Sequence, residues 1–245
     1  MQNKKRLGIL TLSALSALAL IPFSTQAIAQ NMDAEISANV GLVSQYSFRG
    51  MTQSDENVAL QGGFDVNHAS GWHAGVWGSN VDFNDGDEAS VEVDLYGGYA
   101  GEASGISYDL GVIYYAYPGA GSSLDYDFWE GFLTLGHDFE SFSVSASANY
   151  SPEYFAGSGD ALYYALRADA PLAEGFTVSG HVGRQEIDNN TSFGAPDYTD
   201  WSIGLGYMIE GFNLSLQYVD TDMDEPSECA DGCDARVIVG VSRDF

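Results

Sequence analysis

The stretch Ala235-Arg236-Val237-Ile238-Val239-Gly240-Val241-Ser242-Arg243-Asp244-Phe245 decides how the rest of the sequence is read. Val237, Val239, Val241 and Phe245 fall on one parity; Arg236, Gly240, Ser242 and Asp244 fall on the other. A period of two belongs to a strand with one apolar and one polar face. The same alternation recurs along the chain. Phe142, Val144, Ala146, Ala148 and Tyr150 alternate with Ser143, Ser145, Ser147 and Asn149; Phe212, Leu214, Leu216 and Tyr218 alternate with Asn213, Ser215 and Gln217.

An apolar-out strand running into Phe245 resembles the closing strand of a bacterial outer-membrane barrel, where such an aromatic is the signal read by the assembly machinery. Closure then pairs this strand with the first one, because a sheet in a bilayer can leave no free edge. Twelve alternating runs can be counted, starting at Ala34, Val58, Trp72, Val91, Ile106, Trp129, Phe142, Leu162, Phe176, Trp201, Phe212 and Arg236. An even count suits a single-chain barrel, as do tight turns alternating with longer connections. The third run, Trp72 to Phe83, is irregular in parity and predicts a bulge. The expected class is therefore an all-β transmembrane antiparallel barrel of about twelve strands.

The outward aromatics sort by strand end. Trp72, Tyr99, Tyr108, Phe139, Phe142, Phe176, Tyr207, Phe212 and Phe245 fall near the tight turns. Tyr46, Phe48, Tyr114, Trp129, Tyr150, Tyr164, Trp201 and Tyr218 fall near the long loops. Two such levels are the girdles of a membrane barrel. A soluble β-sandwich has no reason to sort its aromatics in this way.

Residues 1–29 read as a secretory signal peptide: Lys4, Lys5 and Arg6, then the apolar run from Leu7 to Ile21, then Ala27-Ile28-Ala29. The run is too short for a membrane-spanning helix, and no Cys follows it to carry a lipid. Residues 30–245 form the expected barrel. They hold all 35 acidic residues against Arg49, Arg167, Arg184, Arg236 and Arg243, with no Lys, so nucleic acid is a poor partner. Expected partners are outer-membrane lipid and lipopolysaccharide, the outer-membrane assembly machinery and a small-molecule solute. No cofactor is expected.

Several motifs sharpen the assignment: Gly41-Leu-Val-Ser-Gln-Tyr-Ser-Phe-Arg-Gly-Met-Thr-Gln-Ser54, Ala59-Leu-Gln-Gly-Gly-Phe-Asp65, Gly75-Val-Trp-Gly-Ser-Asn-Val-Asp-Phe83, Val93-Asp-Leu-Tyr-Gly-Gly-Tyr99 and Asp109-Leu-Gly-Val-Ile-Tyr-Tyr-Ala-Tyr-Pro118. Together they resemble the TorF-type porin family, also called the Gcw_chp family of proteobacterial proteins. The resemblance implies a porin-like role in the outer membrane and brings no catalytic residues. His73 stands where the family pattern leads one to expect Tyr or Phe, which leaves the facing of the third strand open.

By parity Glu35, Asp65, Glu92, Asp94, Asp109, Glu130 and Asp169 face inward, with Arg49, Arg167 and Arg236. The expected pore lining is Asp65, Glu92, Asp94, Asp109, Arg49, Arg167, Tyr96 and Tyr115. Acids outnumber bases there, so a narrow, cation-favouring channel for small polar, cationic or zwitterionic solutes is the first reading. The alternatives are a closed structural or adhesive barrel, in which those charges pair across strands, and an outer-membrane lipid hydrolase. The four histidines, His68, His73, His137 and His181, carry no catalytic motif.

Further acids crowd two outer loops: Asp82, Asp85, Asp87 and Glu88, then Asp220, Asp222, Asp224, Glu225, Glu228, Asp231 and Asp234. Asp220-x-Asp222-x-Asp224 has the opening spacing of a calcium loop, but Glu225 stands where the turn needs Gly. A solvated acidic surface is the plainer reading. Cys229 and Cys233 are the two cysteines, and in an oxidising compartment they are expected to form a local disulfide.

Overall fold

The computed structural model describes residues 33–84, 86 and 89–245. The expected signal peptide and the loop acids Asp85, Asp87 and Glu88 lie outside the described residues. The strands are β1 (Ala34–Val43), β2 (Ser47–Phe48), β3 (Met51–Thr52), β4 (Ala59–His68), β5 (Trp72–Asn80), β6 (Val91–Ala103) and β7 (Ile106–Ala116). They continue with β8 (Phe128–Asp138), β9 (Ser143–Ser151), β10 (Ala161–Pro171), β11 (Phe176–Ile187), β12 (Tyr198–Ile209), β13 (Phe212–Thr221) and β14 (Arg236–Asp244). All but β2 and β3 join one closed antiparallel barrel of twelve strands, in which β1 pairs with both β4 and β14.

Alternation in the sequence becomes alternation across the wall. Val237, Val239 and Val241 are exposed on the outside of β14, while Ile238 and Arg236 are buried inside. Leu60, Phe64 and Val66 likewise face out, and Gln61 in. Apolar residues cover the exterior on almost every strand. A continuous apolar surface of this extent suits contact with hydrocarbon rather than water.

The tight turns lie at the end that carries both described termini. Ser104-Gly105 and Glu210-Gly211 have left-handed φ at both positions (54° and 80°; 51° and 81°), the backbone of a two-residue hairpin whose twist matches its strands. The aromatics expected at this end pair up, Trp72 with Tyr99 at 5.3 Å, Phe139 with Phe142 at 4.6 Å and Phe176 with Tyr207 at 4.4 Å. Longer connections fill the opposite end: residues 44–58, 81–90, 117–127, 152–160, 188–197 and 222–235.

Two expectations are corrected. The bulge predicted in the third run is missing: β5 pairs without interruption with β4 from His73 to Ser79 and with β6 from Trp72 to Asn80. Its unusual sequence reflects facing, since His73, Trp77 and the buried Ser79 point inward on a regular strand. Tyr46 and Phe48 do not belong to the outer girdle. The first strand ends at Val43, the chain turns into the barrel, and Tyr46 is only 2% exposed.

Candidate functional site

Residues 44–58 form the element that sets the character of the lumen. The polar–apolar alternation of β1 continues in the sequence through Arg49, yet the barrel pairing stops at Val43. Beyond it β2 and β3 make a small hairpin whose turn is Arg49-Gly50, both with left-handed φ (47° and 83°). A Cβ on Gly50 would lie 2.6 Å from Thr221 Cγ2 and 2.7 Å from Asp200 Cβ. The missing side chain therefore lets the hairpin tip rest against the wall at β12 and β13.

Inserting this loop buries the aromatics that alternation had assigned to the exterior. The Tyr46 ring packs edge-on against Trp77 at 5.5 Å, and Phe48 against Tyr115 at 5.8 Å. The Tyr46 hydroxyl donates to Glu92 Oε1 at 2.7 Å. In the barrel both rings meet aromatic partners and the Tyr46 hydroxyl is satisfied.

The inserted loop is tied on two sides. The Asp82 N–H donates to the Gln53 carbonyl at 2.9 Å, linking it to the 81–90 connection. The Thr52 N–H donates to the Gly232 carbonyl at 2.9 Å, linking it to the 222–235 connection. Arg236 from β14 donates a guanidinium hydrogen to the Gly50 carbonyl.

Arg49 at the tip makes the main contact with the wall. Its Nη2 lies 2.6 Å from Glu130 Oε2 on β8, and its Nη1 donates to Gln185 Oε1 on β11 at 2.8 Å. The guanidinium carbon sits 4.3 Å from the Tyr163 ring centre and 4.6 Å from that of Phe48. Glu130 also accepts from Tyr115 Oη and Asn149 Nδ2, each at 3.2 Å. Arg49 is 3% exposed and Glu130 1%.

The charges in this layer do not balance. Glu92, Asp94 and Glu130 are all buried, with Arg49 among them. Asp94 is fully buried, and neither of its carboxyl oxygens has a hydrogen-bond partner among the described residues. Its cross-strand neighbours are Trp77 and Tyr115. Ionising a buried carboxyl without compensation is costly, so a layer holding three carboxyl groups and one guanidinium can ionise further only with added positive charge.

The turn-side half of the lumen differs. Small inward residues line much of it, among them Gly63, Gly75, Ser145, Ser147, Ser179, Gly204 and Ser215. Several of its charged groups pair locally. Tyr96 donates to Asp65 at 2.5 Å, His73 Nε2 lies 2.8 Å from Asp109, and Arg167 binds Asp169 through two nitrogens at 2.8 and 2.6 Å. The residues expected to line a pore thus split into two layers. Arg49, Glu92, Asp94 and Tyr115 belong to the filled outer layer; Asp65, Tyr96, Asp109 and Arg167 belong to the turn-side one.

Sequence reasoning missed Gln185, Asp200 and Trp77. Asp200 accepts from Tyr163 at 2.9 Å and faces His181 at 3.0 Å. Gln185 and Asp200 sit at inward parity, so their facing was legible, whereas that of Trp77 stayed open with the third strand; the partners of all three lie on other elements and were not legible. The other histidines serve locally, His68 with Ser70 in a turn and His137 with the Gly105 carbonyl.

Cys229 and Cys233 stand at disulfide distance in the 222–235 connection. They pack with Met223 and Tyr198, and Met51 of the inserted hairpin lies against them. Glu225 is grouped with them, but sulfurs bonded to each other are not free to ligate a metal. Of the loop acids, Asp220 accepts from Tyr218 and Asp222 from the Thr199 N–H. Alkylation of unfolded, unreduced protein is expected to find no free thiol, and two labelled cysteines would refute this. The bond closes a short loop, so its stabilisation should fall at the low end of about 0–5 kcal/mol.

Among solved structures the barrel is similar to the KdgM porin (TM-score 0.58, 11% identity, 85% of this chain and 99% of that one). It is also similar to the NanC porin (TM-score 0.56, 12% identity, 86% of this chain and 99% of that one). At such identities the likeness is one of fold. No curated protein matches the sequence. A family model described as "Bacterial protein of unknown function (Gcw_chp)" matches residues 28–245, and the chain belongs to that Gcw_chp family.

Proposed function

We propose that the protein is an outer-membrane channel for small cationic or zwitterionic solutes, closed at its outer end by residues 44–58. The TorF-type porin name suggested by the sequence motifs is part of this reading. The observation that carries it is the pairing of an apolar-walled twelve-stranded barrel with an acidic lumen whose outer half is filled by a tied-in loop. A structural barrel needs no such loop, and its lumen has no reason to bury Asp94 without a hydrogen-bond partner among the described residues. One observation favours the closed barrel as a second reading: the inward residues around Arg49 are nearly all buried.

Reversal potentials in planar bilayers under a KCl gradient test the proposal. Cation selectivity is expected, weakening as salt screens the acids over about 8–10 Å. Anion selectivity would overturn the charge argument; absence of current at every voltage would favour the closed barrel. Replacing Asp94 and Asp109 by Asn together should lower the selectivity. Unchanged reversal potentials would mean that current does not pass these carboxylates.

A further inference from the structure

The two acceptors that bind the Arg49 nitrogens, and one of the rings over its guanidinium, belong to the barrel wall, while Phe48 of the same loop supplies a further ring. Glu130 comes from β8, Gln185 from β11 and Tyr163 from β10. Tyr115 and Asn149 fix the Glu130 carboxylate from β7 and β9 by hydrogen bonds that do not involve Arg49. Tyr154, in the 152–160 connection, adds a ring 5.9 Å from the guanidinium carbon. Were the hairpin withdrawn, these wall groups would remain as a carboxylate, an amide oxygen and aromatic rings around one position.

Such a set suits a planar guanidinium better than a point-like ammonium. Two acceptors from different strands meet two different nitrogens of one planar group, and rings face its π-surface. The neighbouring Asp94, buried in the same layer, has no hydrogen-bond partner among the described residues, so the layer holds acceptor capacity that Arg49 does not use. A neutral solute would leave these buried acids without compensation.

We infer that Glu130, Gln185 and Tyr163 form a binding site for small guanidinium compounds, and that Arg49 occupies it as an internal competitor which an incoming solute displaces to release the 44–58 loop. The inference rests on reading that loop as the gate of a channel. Displacement is an exchange of like for like: one guanidinium leaves Glu130 and Gln185, another takes its hydrogen bonds, and no buried carboxylate is left bare. Binding to the intact protein must work against the hairpin, so apparent affinity is reduced by the fraction of time the site is covered.

The probe is methylguanidinium chloride at low millimolar concentration, with sodium chloride at equal ionic strength as control. On the intact wild-type barrel, hydrogen exchange of the backbone at residues 45–53 should accelerate saturably with methylguanidinium and not with sodium. By calorimetric titration, Arg49→Ala should bind the probe at least tenfold more tightly than wild type, and Arg49→Ala with Glu130→Gln should lose that gain. Equal affinity in wild type and Arg49→Ala, or in the single and double variants, overturns the site. If Arg49→Ala does not fold, the wild-type exchange measurement decides: no acceleration at any concentration up to saturation overturns it. The channel reading is judged separately by conductance. Binding with competition but no current removes the channel and leaves the site; cation current without binding removes the site alone.

Discussion

Replacing Arg49 with Ala is expected to raise single-channel conductance several-fold over wild type and to increase cation selectivity. The substitution removes the ion pair to Glu130, the hydrogen bond to Gln185 and the stacking on Tyr163. These are the contacts by which the hairpin tip's side chain grips the far wall. The loop keeps its ties at Thr52 and Gln53, so it should loosen rather than leave. Selectivity rises because Glu92, Asp94 and Glu130 lose the cation among them. Stability should fall by about 3–5 kcal/mol, the usual cost of breaking a buried ion pair from one side. Adding Glu130→Gln should restore part of that stability while conductance stays high. Identical conductance in wild type and both variants would show that the loop does not control passage.

Removing the Phe245 side chain, or the residue itself, is expected to cause the other large effect, a loss of assembled barrel. The register between β14 and β1 covers only Val43 with Gly240 through Asn39 with Asp244, whereas β10 and β11 match from Ala161 to Pro171. Beyond that short seam the Phe245 backbone exchanges two hydrogen bonds with Ala38, at 2.8 and 3.1 Å. The ring is 56% exposed on the outer wall, and the Arg243 guanidinium lies over both it and Phe212, 5.4 and 4.9 Å from the ring centres. Deletion takes away one end of the seam and one aromatic of the girdle together. Phe245→Ala keeps the backbone bonds, so comparing the two separates closure from side-chain recognition. Heat-modifiable migration in detergent gels is the measurement, and a deleted protein that folds with wild-type yield would refute the expectation.

Sequence legibility differed between the wall and the lumen for a physical reason. The strands, their number, the facing of β14 and most of the two girdles could be read directly, because a barrel wall is governed by a local rule: successive side chains meet opposite environments. That rule also assigned Asp65, Glu92, Asp94 and Asp109 to the inside. It failed at Tyr46 and Phe48, where the alternation of β1 runs on in the sequence after the strand has ended. Nothing within residues 44–49 distinguishes a continued strand from a chain that bends inward. The bend is favoured by contacts far along the chain: Arg49 with Glu130, 81 residues away, and with Gln185, 136 residues away. The sequence by itself therefore determined a twelve-stranded barrel with an acidic interior. Only the tertiary structure decided that its outer half is filled, because that depends on which inward groups from distant strands meet across the lumen.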